Sequence, residues 1–228
     1  MRPVGRLGSA VRRAILLEVE RELGTLREGF IEILIAETGK TRADCAVEFD
    51  RTLFTWSAAA EEVGHIHGET VPLDLQASGT GLLGFWVRRP IGLVIGVAGF
   101  NGPFLLASHK IAPAIAAGCP VICKPAPATP LATLWLADVV RRAAVRHGAP
   151  AAIVQVVTGD AEVGRALVTD PRIGAVSFTG SAATGKKVMQ SGAGNLKRLT
   201  LELGGNDAAI VLPGVDVDEL VPRPVSYT

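Results

Sequence analysis

Apolar side chains recur at steps of three or four from Ile15 through Val19, Leu23, Leu26 and Phe30 to Leu34, which places them on one face of a helix that Gly39 would end. A second seam, Ala46, Phe49, Leu53, Trp56, Ala60 and Val63, runs up to Gly64, and Thr41 followed three residues later by Asp44 has the spacing of a capping box at its start. The chain is therefore predicted to open with two amphipathic helices. Between Gly68 and Arg89 the pattern shortens to extended pieces around Ser78-Gly79-Thr80-Gly81, which predicts a pair of strands forming an arm outside any main sheet.

After Pro90 the period alternates. Strands are predicted at 92–98, 120–124, 153–157, 174–178, 198–202 and 208–212, with helices at 103–117, 130–146, 160–168 and 181–192 between them. That order predicts an α/β fold: a Rossmann-like, mostly parallel sheet with helices on both faces. Ligands of such sheets bind beyond the carboxyl ends of the strands, so the loops at 99–102, 124–129, 158–160, 179–181 and 203–206 are where function is sought. The run Ile91 to Ala107 is apolar enough to resemble a membrane span, but Gly92, Gly96, Gly99, Gly102 and Pro103 divide it into a buried strand, a loop and a helix.

Composition narrows the classes. Of 228 residues 48% are apolar and 20% charged, which excludes intrinsic disorder. A net charge of +1 with no basic stripe argues against a nucleic-acid partner. Cys45, Cys119 and Cys123 are an odd set without metal-ligand spacing, so no disulfide framework or zinc site is expected, and a reducing, cytoplasmic setting fits. Glu18, Glu20 and Glu22 interrupt any secretory signal after the basic start. His65 and His67 alternate as they would on one strand face, but lack a third ligand, and no metal is expected.

Four segments carry candidate chemistry. Gly180-Ser181-Ala182-Ala183-Thr184-Gly185-Lys186 follows an apolar strand and opens a helix, so its backbone N–H groups and helix dipole suit an anion. Its spacing also matches a P-loop, but Lys187 stands where a Ser or Thr would hold magnesium. Glu202-Leu203-Gly204-Gly205-Asn206 puts a carboxylate at a strand end, where partial desolvation would make it a general base. Asn101, in Gly99-Phe100-Asn101-Gly102-Pro103, is either an oxyanion donor or a helix cap. Lys124 ends a strand and is either a ligand for ribose or phosphate oxygens or a solvated lysine.

Taken in order, Glu37-Thr38-Gly39-Lys40, Pro90-Ile91-Gly92, Asn101-Gly102-Pro103-Phe104, Lys124-Pro125-Ala126 with Thr129-Pro130, Val157-Thr158-Gly159, Phe178-Thr179-Gly180-Ser181 and Glu202-Leu203-Gly204-Gly205 resemble the aldehyde dehydrogenase superfamily, from about residue 10 to 215. The resemblance implies NAD- or NADP-dependent oxidation of a small-molecule aldehyde by a cysteine thiolate and hydride transfer. It makes Asn101 the oxyanion donor and Glu202 the base for the deacylating water. It places Lys124 at the adenosine ribose, Ser181 at the pyrophosphate and Gly180 and Gly185 at the close backbone passage. Phe100 and Gly159 join the cofactor site, and Phe178 and Gly205 shape the pocket. It also implies a homo-oligomer, in doubt for a chain of this length, and divides the chain into a helical part at 10–67, the arm at 68–89 and a cofactor-binding part at 90–215.

Three departures qualify this. Asn101-Gly102-Pro103 replaces the family's Asn-Phe-Pro, and Pro127 stands where many NAD-preferring members carry an acid, which opens NADP as cofactor. No cysteine follows Cys123, so the expectation is a truncated chain without the nucleophile, whose tail Val221–Thr228 departs from the family and which is inactive alone. A P-loop nucleotide phosphatase and a non-enzymatic nucleotide-binding or truncated product are the competing readings.

Overall fold

The computed structural model describes residues 7–206, 208 and 210–220; the Val221–Thr228 tail lies outside them. The first apolar seam is two helices, α1 (Ser9–Thr25) and α2 (Arg27–Thr38), where one was predicted. The chain turns at Leu26 (φ −105°, ψ 12°), whose N–H bonds the Leu23 carbonyl at 2.9 Å. Because the apolar stepping continues through this tightened turn, the pattern alone does not reveal it. Gly39, in the left-handed region at φ 69°, ends α2 as expected. Thr41 Oγ1 accepts from the Asp44 N–H at 3.2 Å at the start of α3 (Arg42–Glu62), which is the predicted cap. The arm is present as β1 (Glu69–Val71) paired antiparallel with β2 (Gly84–Trp86).

The main sheet contains β3 (Leu93–Val97), β4 (Val121–Lys124), β5 (Val154–Val156), β6 (Ile173–Thr179) and β7 (Arg198–Glu202), all parallel, in the order β5-β4-β3-β6-β7. Between them run α4 (Pro103–Ala116), α5 (Leu131–Arg146), α6 (Ala161–Thr169) and α7 (Ala182–Ala193), and a short α8 (Val217–Leu220) follows. No strand forms at 208 or 210–212, contrary to the sequence expectation. Ile210, Val211 and Leu212 are exposed, Ile210 to 83%, so among the described residues this apolar run has no strand to pair with.

Strand alternation divides the core. Val94, Val121 and Cys123 face α4 and α5, which α1, α2 and α3 back, whereas Ile95, Val176 and Phe178 face the side that Val168 of α6 and Val188 of α7 cover. Gly96 lets α4 lie close on β3: a Cβ there would be 2.4 Å from the Lys110 Cβ. The apolar stretch 91–107 is thus β3, its loop and the start of α4, and among the described residues no helix is long and apolar enough to cross a membrane. The winding runs from β3 through β4 to β5, then crosses to β6 and β7 on the other side of β3. Connections leaving β3 and β6 therefore diverge, and the crevice lies at their carboxyl ends.

Candidate functional site

A cavity of about 280 Å³ opens at that crevice, on the α6/α7 face, against Val97 of β3, Lys124 of β4 and Phe178 of β6. Lys124 is 6% exposed, and its ammonium donates only a long 3.4 Å bond to the Pro125 carbonyl. It is not the solvated lysine that the sequence left open. Burial lowers its pKa, against the opposing pull of the Asp160 carboxylate. Alternation explains the placement: Lys124 shares its strand face with Ile122, which packs toward α6 and α7.

The glycine-bearing loops follow. Asp160 caps α6, its Oδ1 accepting from the Glu162 and Val163 N–H groups at 2.9 and 3.5 Å. Ser181 caps α7 by accepting from the Thr184 N–H at 3.2 Å. Gly180 and Gly185 have reasons within the fold, since a Cβ on them would lie 2.6 Å from the Phe178 ring and 2.5 Å from Leu203. Thr179 Oγ1, at the end of β6, is buried without a hydrogen-bond partner. Gly159 sits at φ 145° beside Val163 in the loop entering α6, while Phe100 is 67% exposed.

The opposite face of the same strand ends carries a second group. Thr179 pairs with Glu202 in register, and the Gly180 N–H bonds the Glu202 carbonyl at 3.1 Å. Glu202 is exposed, not partly desolvated as expected, because β7 is the sheet edge; Gly205 is exposed as well. Beneath this edge Lys110 of α4 is 4% exposed; burial lowers its pKa and the Glu202 charge raises it. Asn101 Oδ1 and Thr179 Cγ2 lie 3.4 and 3.8 Å from where a Gly99 Cβ would stand, so Asn101 belongs to this edge too. It does not cap α4; that position is Gly102.

The cap of α4 is Glu48, a side chain the sequence reading passed over. This α3 carboxylate is 5% exposed, and its Oε1 accepts from the Phe104 and Leu105 N–H groups at 3.0 and 3.2 Å. Lys40 pairs with Glu48 Oε2 and also donates to the Asn101 carbonyl at 2.9 Å. Glu37, in the same Glu37-Thr38-Gly39-Lys40 segment, accepts from the Leu131 N–H and, at 3.1 Å, from that of Ala132 at the start of α5. One helix end thus ties down the loop bearing Asn101 and the helix that follows Lys124.

Other candidates are not assembled into the site. His65 closes a 3₁₀ turn and pairs with Glu62, and His67 lies in a loop, so the two share no strand face. No cluster of three ligating side chains occurs among the described residues. All three cysteines are buried, and burial pushes the Cys123 thiol up to about 12. A thiol reagent at neutral pH is accordingly expected to react with none of the three in the native chain and with all three in denaturant. Above pH 9.0, where the unfolded thiol ionises first, Cys123 is expected to cost stability progressively up to about pH 12. Fast labelling of the native protein would contradict the buried placement.

The chain is thus a doubly wound α/β domain, with a cation-lined cavity on one face of its strand ends and Asn101, Thr179 and Glu202 along the other. It belongs to the aldehyde dehydrogenase family, an oxidoreductase family whose match spans residues 2–227. Aspartate-semialdehyde dehydrogenase 1 of Pseudomonas canavaninivorans is 36% identical over 220 residues, 94% of this chain and 45% of that protein. Glyceraldehyde-3-phosphate dehydrogenase GapN of Methanocaldococcus jannaschii, complexed with NADP, superposes with a TM-score of 0.82 at 30% identity, covering 89% of this chain and 43% of that one. A NAD-dependent aldehyde dehydrogenase from Sinorhizobium meliloti gives a TM-score of 0.81 at 32% identity, covering 90% and 39%. The chain spans less than half the length of these relatives. The α/β class agrees with the sequence expectation, and NADP and NAD, named for these two solved relatives, are the cofactors that the resemblance implied.

Proposed function

We propose that this chain binds NAD or NADP and sets the carbonyl and water of aldehyde oxidation to carboxylate. The observation that carries the reading is Lys124, a buried ammonium with one long hydrogen bond, on the wall of a cavity at the topological switch point. The orphaned Thr179 hydroxyl at the same strand ends is a second polar group without a partner, as a ligand site requires. A bound nicotinamide cofactor supplies the hydride acceptor.

In this reading Lys124 donates to ribose oxygens, and Ser181 with the first N–H groups of α7 faces the pyrophosphate. The Asn101 amide donates to the carbonyl oxygen as negative charge grows on it, while Lys40 fixes the loop's backbone from below. Glu202 takes a proton from the water that adds to the acyl carbon. The covalent step is no part of the proposal for this chain, since its three thiols are buried.

Thermal melts with each cofactor test the binding. At a hundred times the dissociation constant a ligand specific for the folded state adds about 2.7 kcal/mol, a rise of about 5–10 °C for a chain of this size. Lys124→Ala is expected to remove most of that rise. A cooperative melt that neither nucleotide moves at millimolar concentration would sink the reading.

A further inference from the structure

We infer that the cavity selects NADP over NAD, with Arg165 of α6 and Lys187 of α7 gripping the 2′-phosphate beside Lys124. This rests on the proposed cofactor reading and concerns which nucleotide the site prefers. From the α7 N-terminus the lining steps along Thr184, Lys187, Val188 and Ser191, so the cavity extends down that helix, away from the strand-end face that carries Asn101 and Glu202. The part of the cofactor lying there is the end remote from the reaction, the adenosine. Val97, Val168 and Phe178 give it apolar walls suited to a purine.

Three cations and one carboxylate face this space: Lys124 from β4, Arg165 from α6, Lys187 from α7, and Asp160 from the loop entering α6. Asp160 already caps α6 through Oδ1. Among the described residues none of the three cations has a carboxylate within ion-pairing distance, although chains elsewhere in the molecule pair freely, as Arg142 does with Glu22 and Asp138. Arg165 and Lys187 are exposed at the rim of this space, so their charges are solvated and stay available to an anion that enters between the two helices. A site selective for NAD presents a carboxylate to the ribose 2′-hydroxyl, whereas one that takes the 2′-phosphate presents an arginine. The loop after Lys124 offers Pro127 to the cavity, which neither accepts nor donates through its side chain. A planar guanidinium from α6 and an ammonium from α7 are the donors that a dianionic phosphate takes up as charge-assisted hydrogen bonds.

The test is calorimetric titration of the whole chain with NADP and NAD, and with adenosine 2′,5′-bisphosphate and 5′-AMP to isolate the adenosine end. NADP is expected to bind at least about tenfold tighter than NAD, with the same order for the two fragments, in line with charge-assisted hydrogen bonds to one phosphate. Arg165→Ala and Lys187→Ala are each expected to weaken NADP about tenfold and NAD less than about twofold. Both residues are exposed on helices, so alanine there leaves the core intact, and the melt of each variant without ligand checks this. Equal affinities, tighter NAD, or variants that lose both nucleotides in parallel would overturn the selectivity. Failure of all four ligands to bind a cooperatively folded chain would instead overturn the cofactor reading on which it rests.

Discussion

Replacing Phe30 with alanine is expected to lower the unfolding free energy by about 4 kcal/mol, from the cost of deleting a fully buried aromatic ring. At about 2–4 °C per kcal/mol for a chain of this size, the melting temperature should fall by about 8–16 °C. The ring is wholly buried and stacks on Phe104 with centroids 4.4 Å apart and on Trp135 at 4.2 Å, with Phe49 at 6.3 Å. Those contacts join α2 to α3, α4 and α5 at one point. Phe104 also lies in the first turn of α4, directly after Asn101-Gly102-Pro103, so the aromatic cluster adjoins the loop that bears Asn101. A urea midpoint that drops with an unchanged slope is the expected signature. An unmoved midpoint would mean that the opening helices and the sheet do not share one core.

Much of this arrangement is legible in the sequence because two periods carry it. Steps of three and four mark the helical seams, and short apolar runs ended by Lys124, Thr179 and Glu202 mark strands whose carboxyl ends meet at one edge. The division of labour across that edge is also periodic: Lys124 follows Ile122 on one face, while Glu202 pairs with Thr179 on the other. What the pattern hides depends on contacts between distant segments. The break at Leu26 costs no apolar position, so the seam passes over it. Glu48 lies off its helix's apolar seam and reads as a solvated residue, yet the N–H groups it accepts from are 56 and 57 residues away. Arg165 and Lys187 become notable only once α6 and α7 face each other across the cavity. The strand expected at 208–212 errs the other way at its described positions, 208 and 210–212, since apolar residues with strand propensity form no strand without a neighbour to pair with.

Glu48 is also where the second large effect is expected. Glu48→Ala leaves two N–H groups of α4 without an acceptor and Lys40 without its carboxylate, and breaking such a buried arrangement costs about 3 kcal/mol. The melting temperature should fall by about 6–12 °C. Glu48→Gln keeps an oxygen for the α4 N–H groups and loses only the ion pair, so its cost should be smaller, about 1 kcal/mol. The Lys40 side chain is 28% exposed, and solvent screens its share, so Lys40→Ala should cost about 1 kcal/mol or less. Hydrogen exchange separates the two contributions. Glu48→Ala should release the Phe104 and Leu105 amides, whereas Lys40→Ala should leave them protected and loosen only the segment around Asn101, whose carbonyl it holds. If Glu48→Ala costs no more than Glu48→Gln, the capping of α4 contributes nothing beyond the ion pair. If Lys40→Ala leaves exchange around Asn101 unchanged, the loop is set by its glycines and Pro103 alone, and the link from the Glu37–Lys40 segment to the Asn101 loop is lost.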